Sequence, residues 1–172
     1  MSWALLIVLL VAAQRAAELI VARRNTNRLR QRGAIEHGAG HYPLFIVLHG
    51  AWLLACLALA SRAPALDWRF LAPFLALQPL RLWVLATLGE RWSTRILVLT
   101  DARPVNRGPY RWLRHPNYGI VALELPLLPM ALGAPWLAAL FGLLNLALLS
   151  HRIAIEDRAL GRRSLAGPVG SA

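Results

Sequence analysis

Apolar residues in this chain gather into long blocks separated by arginine-rich gaps, a pattern that predicts helices crossing a membrane. The first block runs from Trp3 to about Ala22 and is interrupted by Gln14, Arg15 and Glu18. Those three share one helical face, so they can point into a bundle while the remainder faces lipid. No positive segment precedes the block and its pattern continues past Arg15, which favours a retained helix over a cleaved leader. A basic connector follows, from Arg23 to Tyr42, ending in a Gly-rich stretch that holds His37 and His41. Pro43 to Ala60 forms the second block, with His49 as its ionisable group apart from Cys56. The third block, Phe70 to Leu88, contains Pro73, Pro79 and Arg81; prolines are tolerated in membrane helices when neighbours re-satisfy the backbone. Gly89 to Asn117 is the longest polar segment, and within it Thr94 to Thr100 alternates weakly enough to predict extended chain. Tyr118 to Leu132 is the fourth block, carrying Glu124, Pro126 and Pro129. Pro135 suits the first turn of a fifth helix that reaches Ser150, with Asn145 polar inside it. A polar helical extension is expected over 151–165, and the final Gly-Pro-Val-Gly-Ser-Ala is expected to be disordered.

The prediction is therefore an all-α integral membrane bundle with about five transmembrane helices, forming one domain over 1–172. Composition supports it: 58% of residues are hydrophobic and the mean hydropathy is +0.49. A net charge of +11 raises the question of nucleic acid. The basic residues are all arginines, however, and they fill the gaps between blocks without forming one stripe interleaved with aromatics, so no nucleic-acid partner is expected. Their distribution also orients the bundle. With the N-terminus outside, the first connector, the third connector and the tail collect nearly all the loop arginines on the cytoplasmic side, leaving Arg62 and Arg69 outside. The lone Cys56 excludes a disulfide framework and a cysteine metal cluster.

The chemistry concentrates in Arg107 to Tyr118, which reads Arg-Gly-Pro-Tyr-Arg-Trp-Leu-Arg-His-Pro-Asn-Tyr. Pro116 biases His115 toward extended backbone, placing a polar wall at the mouth of a helix. His115 with Arg114 and Tyr118 can bind an anion or move a proton; an interfacial anchor of Arg, His, Trp and Tyr is the alternative. Arg152 and Glu156, spaced i, i+4, are either a simple intrahelical ion pair or a ligand-binding acid beside an oxygen-polarising cation. His37 and His41 have a spacing that suits a metal only in a helix, which Gly38 and Gly40 oppose, so no metal is expected. His41, Tyr42 and His49 are candidates to line a substrate entrance. Arg81, Glu124 and Asn145 are intramembrane polar groups, either functional or mutually paired. The chain has no Gly-x-Gly-x-x-Gly, phosphate loop or nucleophile elbow.

The run Gly-Pro-Tyr-Arg-Trp-Leu-Arg-His-Pro-Asn-Tyr, with Arg152-Ile-Ala-Ile-Glu156-Asp157 downstream, resembles the isoprenylcysteine carboxyl methyltransferase family of membrane enzymes that use S-adenosylmethionine. The likeness is carried from about Val105 onward. Arg24-Asn25, Gly33-Ala34-Ile35-Glu36, His41-Tyr42-Pro43, Leu48-His49, Leu88-Gly89 and Thr94-Arg95-Ile96 look like a bacterial branch associated with type III polyketide synthases, whose members O-methylate alkylpyrones or alkylresorcinols. The resemblance implies a cytoplasmic cofactor pocket, built with the 89–117 connector and the 151–165 extension, in the bacterial inner membrane. It implies that Tyr110, His115 and Tyr118 contact the cofactor, that Pro104 and Val105 line its pocket, that Glu156 binds it and that Arg152 stands where cofactor meets substrate. Two departures stand out: Gly119 directly follows the signature Tyr, leaving Ile120 where the family often has Gly, and the acidic pair is Glu156-Asp157 where two Glu are usual.

Methylation by a sulfonium needs an oxygen held in line and kept dry more than it needs activation. A lipophilic hydroxyl acceptor, an alkylpyrone or alkylresorcinol, fits this best. The rivals are carboxyl methylation of a prenylated cysteine and a non-catalytic scaffold that binds anionic lipid.

Overall fold

A computed structural model describes residues 2–62, 65–99, 102 and 105–165, with side chains through residue 160. Five helices form the bundle: α1 Trp3–Gln31, α2 Tyr42–Ala60, α3 Trp68–Leu88, α4 Pro116–Ala131 and α5 Pro135–Leu165. Two short strands, β1 Ile35–His37 and β2 Ile96–Val98, pair antiparallel with Glu36 opposite Leu97. Four of the helices are long and apolar enough to cross a membrane. At 16 residues, α4 spans about 24 Å, short of the roughly 20 residues a full crossing takes.

The helix starts follow from local chemistry. Ser2 caps α1 by accepting from the Leu5 N–H, and Asp67 caps α3 by accepting from the Arg69 N–H. Pro116 and Pro135 open their helices, where a missing N–H costs nothing. The apolar blocks matched these elements to within a few residues, and the weakly alternating stretch after Thr94 does contain a strand. The first helix differs: it continues nine residues past Ala22, through the arginine connector. Ala22, Asn25, Thr26 and Leu29 extend the buried stripe at helical spacing, and no breaker intervenes before Gly33, whose φ of +81° ends the helix.

Two contacts set the levels of the bundle. Ser2 Oγ donates to the Ala60 carbonyl at 3.2 Å, and the Asp67 N–H donates to the Ala131 carbonyl at 2.9 Å. One end of the bundle therefore carries Ser2, Ala60, Asp67, Ala131 and Pro135; the other carries the strands, the 89–117 connector and the α5 extension. Exposed Trp3, Trp68 and Trp136 ring the first end, while Trp83 and Trp112, 6.3 Å apart between ring centroids, mark the second. Between these aromatic levels the surface is leucine, isoleucine and valine, the profile of an integral membrane protein.

The core packs Val8, Trp52, Cys56, Leu71, Phe74 and Leu128 among the first four helices, with Leu137 and Phe141 from α5. Within it, Pro129 has no N–H for the Leu125 carbonyl, and Trp52 Nε1 donates to that oxygen at 2.9 Å instead. The intramembrane charges also find partners. Arg81 donates to both oxygens of Glu18 at 2.8 and 2.6 Å and to Glu124 at 3.0 Å. Arg15 bridges the same two acids at 2.9 Å each, so a neutral quartet ties α1, α3 and α4 together. Asn145, expected in the same role, is fully buried, and among the described residues neither its Oδ1 nor its Nδ2 has a hydrogen-bond partner.

Candidate active site

The polar end is assembled by pinning the long connector to three helices. Asn25 Nδ2 donates to the Gly89 and Trp92 carbonyls at 3.0 and 2.9 Å, and Thr26 shares a 2.8 Å hydrogen bond with Ser93. Tyr42 OH meets Thr94 Oγ1 at 3.2 Å, and the Arg95 guanidinium lies 4.2 Å over the Tyr42 ring. Arg95 and Arg30 both donate to Glu36. Burial works to raise that carboxyl, but the hydrogen bonds from the two arginines outweigh it and hold the group below the usual carboxylate range. The 3-10 turn Gly108–Arg111 sits against the end of α3, where Gly108 has a φ of +55° and a Cβ would stand 2.7 Å from Thr87 Oγ1. Only glycine fits so close a turn. The turn delivers Tyr110 and then His115 to the start of α4.

At the centre, Arg152, Tyr118 and Glu156 form a relay. Arg152 Nε donates to Tyr118 OH at 2.8 Å, and that hydroxyl donates to Glu156. The i, i+4 pair on α5 is thus not a direct ion pair; the phenol of α4 bridges it. A second nitrogen of Arg152, Nη1, donates to the Thr94 carbonyl at 2.9 Å, and the guanidinium carbon lies 5.4 Å from the centroids of both Phe45 and Tyr118. The arginine is only 8% exposed, and Nη2 has no hydrogen bond among the described residues. His115 stacks on Tyr118 with centroids 5.1 Å apart and interplanar angle 13°, its Nδ1 3.9 Å from Glu156 and its Nε2 3.7 Å from Asp157. His115 Nε2 and Asn117 Oδ1 are enclosed without hydrogen-bond partners among the described residues. Burial, seconded by the Glu156 carboxylate, pushes the Tyr110 phenol above its ordinary value, so it stays a hydroxyl donor at neutral pH.

These groups border a cavity of about 470 Å³, within the roughly 300–1,000 Å³ of small-molecule sites. Tyr42, His49, Tyr110, His115, Tyr118, Arg152 and Glu156 all line it. His41 and Val105 do not. His41 packs behind the wall against Phe45 and His151, with centroids 5.9 and 5.7 Å away, and Pro104 lies outside the described residues. His37 belongs to β1, apart from His41 in the next turn. Sequence reasoning missed Thr94, Arg95 and Phe45 as site residues. Phe45 had a signal, since Tyr42, Phe45, His49 and Trp52 recur at helical spacing on one face; a backbone carbonyl such as that of Thr94 leaves none.

The lining of the cavity has two characters. Toward the connector it is bordered by Arg91, Arg95 and Arg114. Elsewhere its lining includes Leu19 of α1 and Ile46 and Gly50 of α2, all exposed. Gly50 is about 15 Å along α2 from Ala60 and Leu19 about 25 Å along α1 from Ser2, depths that fall inside a hydrocarbon layer of roughly 30 Å.

A helical membrane bundle whose cavity holds a guanidinium–phenol–carboxylate relay, lined by arginines on one part and by exposed apolar residues on another, defines the class. Residues 69–162 match the isoprenylcysteine carboxyl methyltransferase (ICMT) family. The chain is also 41% identical over 169 residues to the uncharacterized protein YpbQ of Bacillus subtilis (strain 168), an alignment covering 96% of this chain and 99% of that protein. No solved structure matches. The protein belongs to the ICMT family of membrane methyltransferases.

Proposed function

We propose that this protein is an S-adenosylmethionine-dependent O-methyltransferase whose acceptor is a hydroxyl on a lipophilic molecule, an alkylpyrone or alkylresorcinol. One observation carries the reading: a single cavity is lined by the charged Arg91, Arg95 and Arg114, by the exposed apolar Leu19 and Ile46, and by Arg152. A polar donor and a greasy acceptor can meet there without either crossing the wrong medium.

The residues present fit the donor. His115 Nε2 and Asn117 Oδ1 are enclosed polar atoms on the cavity-lining residues, without hydrogen-bond partners among the described residues. Glu156 offers carboxylate oxygens for ribose hydroxyls or an ammonium group, and Tyr110 and Tyr118 offer aromatic surface and hydroxyls. When bound, the cofactor supplies an electrophilic methyl on a sulfonium. The chain's own work is positional and electrostatic. Tyr118 and Thr94 hold two edges of the Arg152 guanidinium, leaving Nη2 to orient the acceptor oxygen and to favour its ionised form, the hydroxyl proton passing to water before the oxygen takes the methyl and the thioether leaves. Phe45, Trp52 and Leu53 keep the reacting region dry.

The arginine-rich end faces the cytoplasm of a bacterial inner membrane, in accord with the positive-inside bias of the loops. A type III polyketide synthase is the fitting source of the acceptor. Glu156→Ala, assayed by calorimetry with S-adenosylmethionine, is expected to abolish measurable binding while the protein stays folded in detergent; unchanged affinity would refute the assigned pocket. Orientation is checked by labelling a Cys at exposed Leu113, in a Cys56→Ala background, from each side of the membrane. Label reaching it only from the periplasmic side would reverse the assignment.

A further inference from the structure

Among the cavity-lining side chains, His49 has its hydrogen-bonding character set by its own helix. Its Nδ1 lies 2.9 Å from the Phe45 carbonyl oxygen, which can only accept, so the ring proton sits on Nδ1. The half-buried ring lies about 17 Å along α2 from Ala60, within the hydrocarbon layer, and makes no ion pair among the described residues. An unpaired charge there is costly, so the imidazole is neutral. Nε2 is then a pure acceptor with no hydrogen-bond partner among the described residues, on a ring that borders the cavity.

Its neighbours give this acceptor a context. Phe45 stacks on His49 at 6.1 Å with an interplanar angle of 30°, and the Arg152 guanidinium lies 5.4 Å from the same Phe45 ring. Along one wall the cavity therefore presents a donor, an apolar face and an acceptor in sequence. A molecule matching that order takes a hydrogen bond on one oxygen and gives one from another group. A carboxylate has only lone pairs to offer, and beside Nε2 they would be left unsatisfied.

We infer that His49 Nε2 accepts a hydrogen bond from an O–H of the methyl acceptor and thereby selects hydroxyl-bearing acceptors over carboxylates. The inference rests on the reaction proposed above, yet it assigns the choice between its two acceptor chemistries to one side chain. The test uses the full chain in lipid nanodiscs, methyl-labelled S-adenosylmethionine, and two acceptors with the same long alkyl tail, a resorcinol and a benzoate. His49→Phe should lower kcat/KM for the resorcinol roughly 10- to 100-fold, chiefly through KM, as loss of a buried hydrogen bond does. Benzoate turnover and cofactor affinity should stay within about twofold, and His49→Gln, whose amide oxygen also accepts, should restore most of the resorcinol activity. A variant-free arm compares the resorcinol with its dimethyl ether as ligands of the wild-type protein, the ether being expected to bind roughly 10-fold more weakly. Equal losses for both acceptors in His49→Phe, or equal binding of resorcinol and ether, would overturn the role of His49 and leave the methyltransferase reading standing. Absence of cofactor binding and of transfer to any acceptor by the wild-type protein would remove that reading and the inference with it.

Discussion

Deleting one carboxylate from the buried quartet should destabilise the bundle by an amount the geometry bounds. Glu124 is 1% exposed, accepts from Arg81 at 3.0 Å, from Arg15 at 2.9 Å and from Gln78 at 3.0 Å. At an effective dielectric near 20, each guanidinium contact is about 5 kcal/mol of gross attraction, most of it offset by desolvation. Glu124→Ala leaves two arginines facing the single carboxylate of Glu18 inside the bilayer. Breaking a buried pair in this way costs about 3–5 kcal/mol, equivalent to a Tm lower by roughly 6–20 °C for a chain of this size. The protein carries its own reporter, because its single cysteine, Cys56, is fully buried and reacts with a thiol-sensitive fluorophore only when the bundle opens. Adding Arg15→Ala to Glu124→Ala rebalances the charge as one Arg81–Glu18 pair and should recover part of the loss, a coupling that a double-mutant cycle reads directly. A Glu124→Ala melt within about 2 °C of wild type would show that the quartet does not hold these helices.

Further predictions concern the site and its supports. Arg152→Ala should lower kcat by roughly 100-fold or more, in line with loss of a charge-stabilising donor, with little change in cofactor affinity; parallel losses in both would refute the division of roles between Arg152 and Glu156. Gly50 has open space where a side chain would go, so Gly50→Phe should fold normally yet raise KM for long-tailed acceptors while sparing short-tailed ones. An equal effect on both would move the lipid-side opening elsewhere. Glu36, whose folded pKa is depressed, contributes stability that is present above its ordinary value and lost as pH falls through the lowered one. Melting of the wild type should therefore fall more steeply than that of Glu36→Gln as pH drops below the ordinary carboxylate range, and identical profiles would contradict the Arg30–Glu36–Arg95 assignment.

What could be read in advance divides along physical lines. Apolar blocks locate membrane helices because burial in lipid is set by composition, and α2, α3 and α5 lie where those blocks do. The α1 extension was hidden because arginines mark a boundary in hydropathy but not in helical geometry: Asn25 and Thr26 are buried against Trp92 and Ser93, residues far along the chain. The pairing of β1 with β2 was likewise long-range, although the Ile96–Val98 half showed some alternation. Within the site, chemically conspicuous residues such as His115, Arg152 and Glu156 announced themselves. Their arrangement did not. The spacing of Arg152 and Glu156 left a direct pair and a ligand-binding pair both open, and only packing α4 against α5 shows the Tyr118 hydroxyl between them. Arg81 and Glu124 were legible as a candidate pair, whereas the inclusion of Arg15 and Glu18 depended on which face of α1 met α3.

The most direct test is to identify the product formed when the purified, membrane-reconstituted protein is given methyl-labelled S-adenosylmethionine with a panel of long-tailed resorcinols, pyrones and prenylated cysteines. A labelled methyl ether that survives mild base, formed on a hydroxylated lipid and lost in Arg152→Ala, is the expected result. A base-labile methyl ester on prenylcysteine, or no transfer to any acceptor, would contradict it.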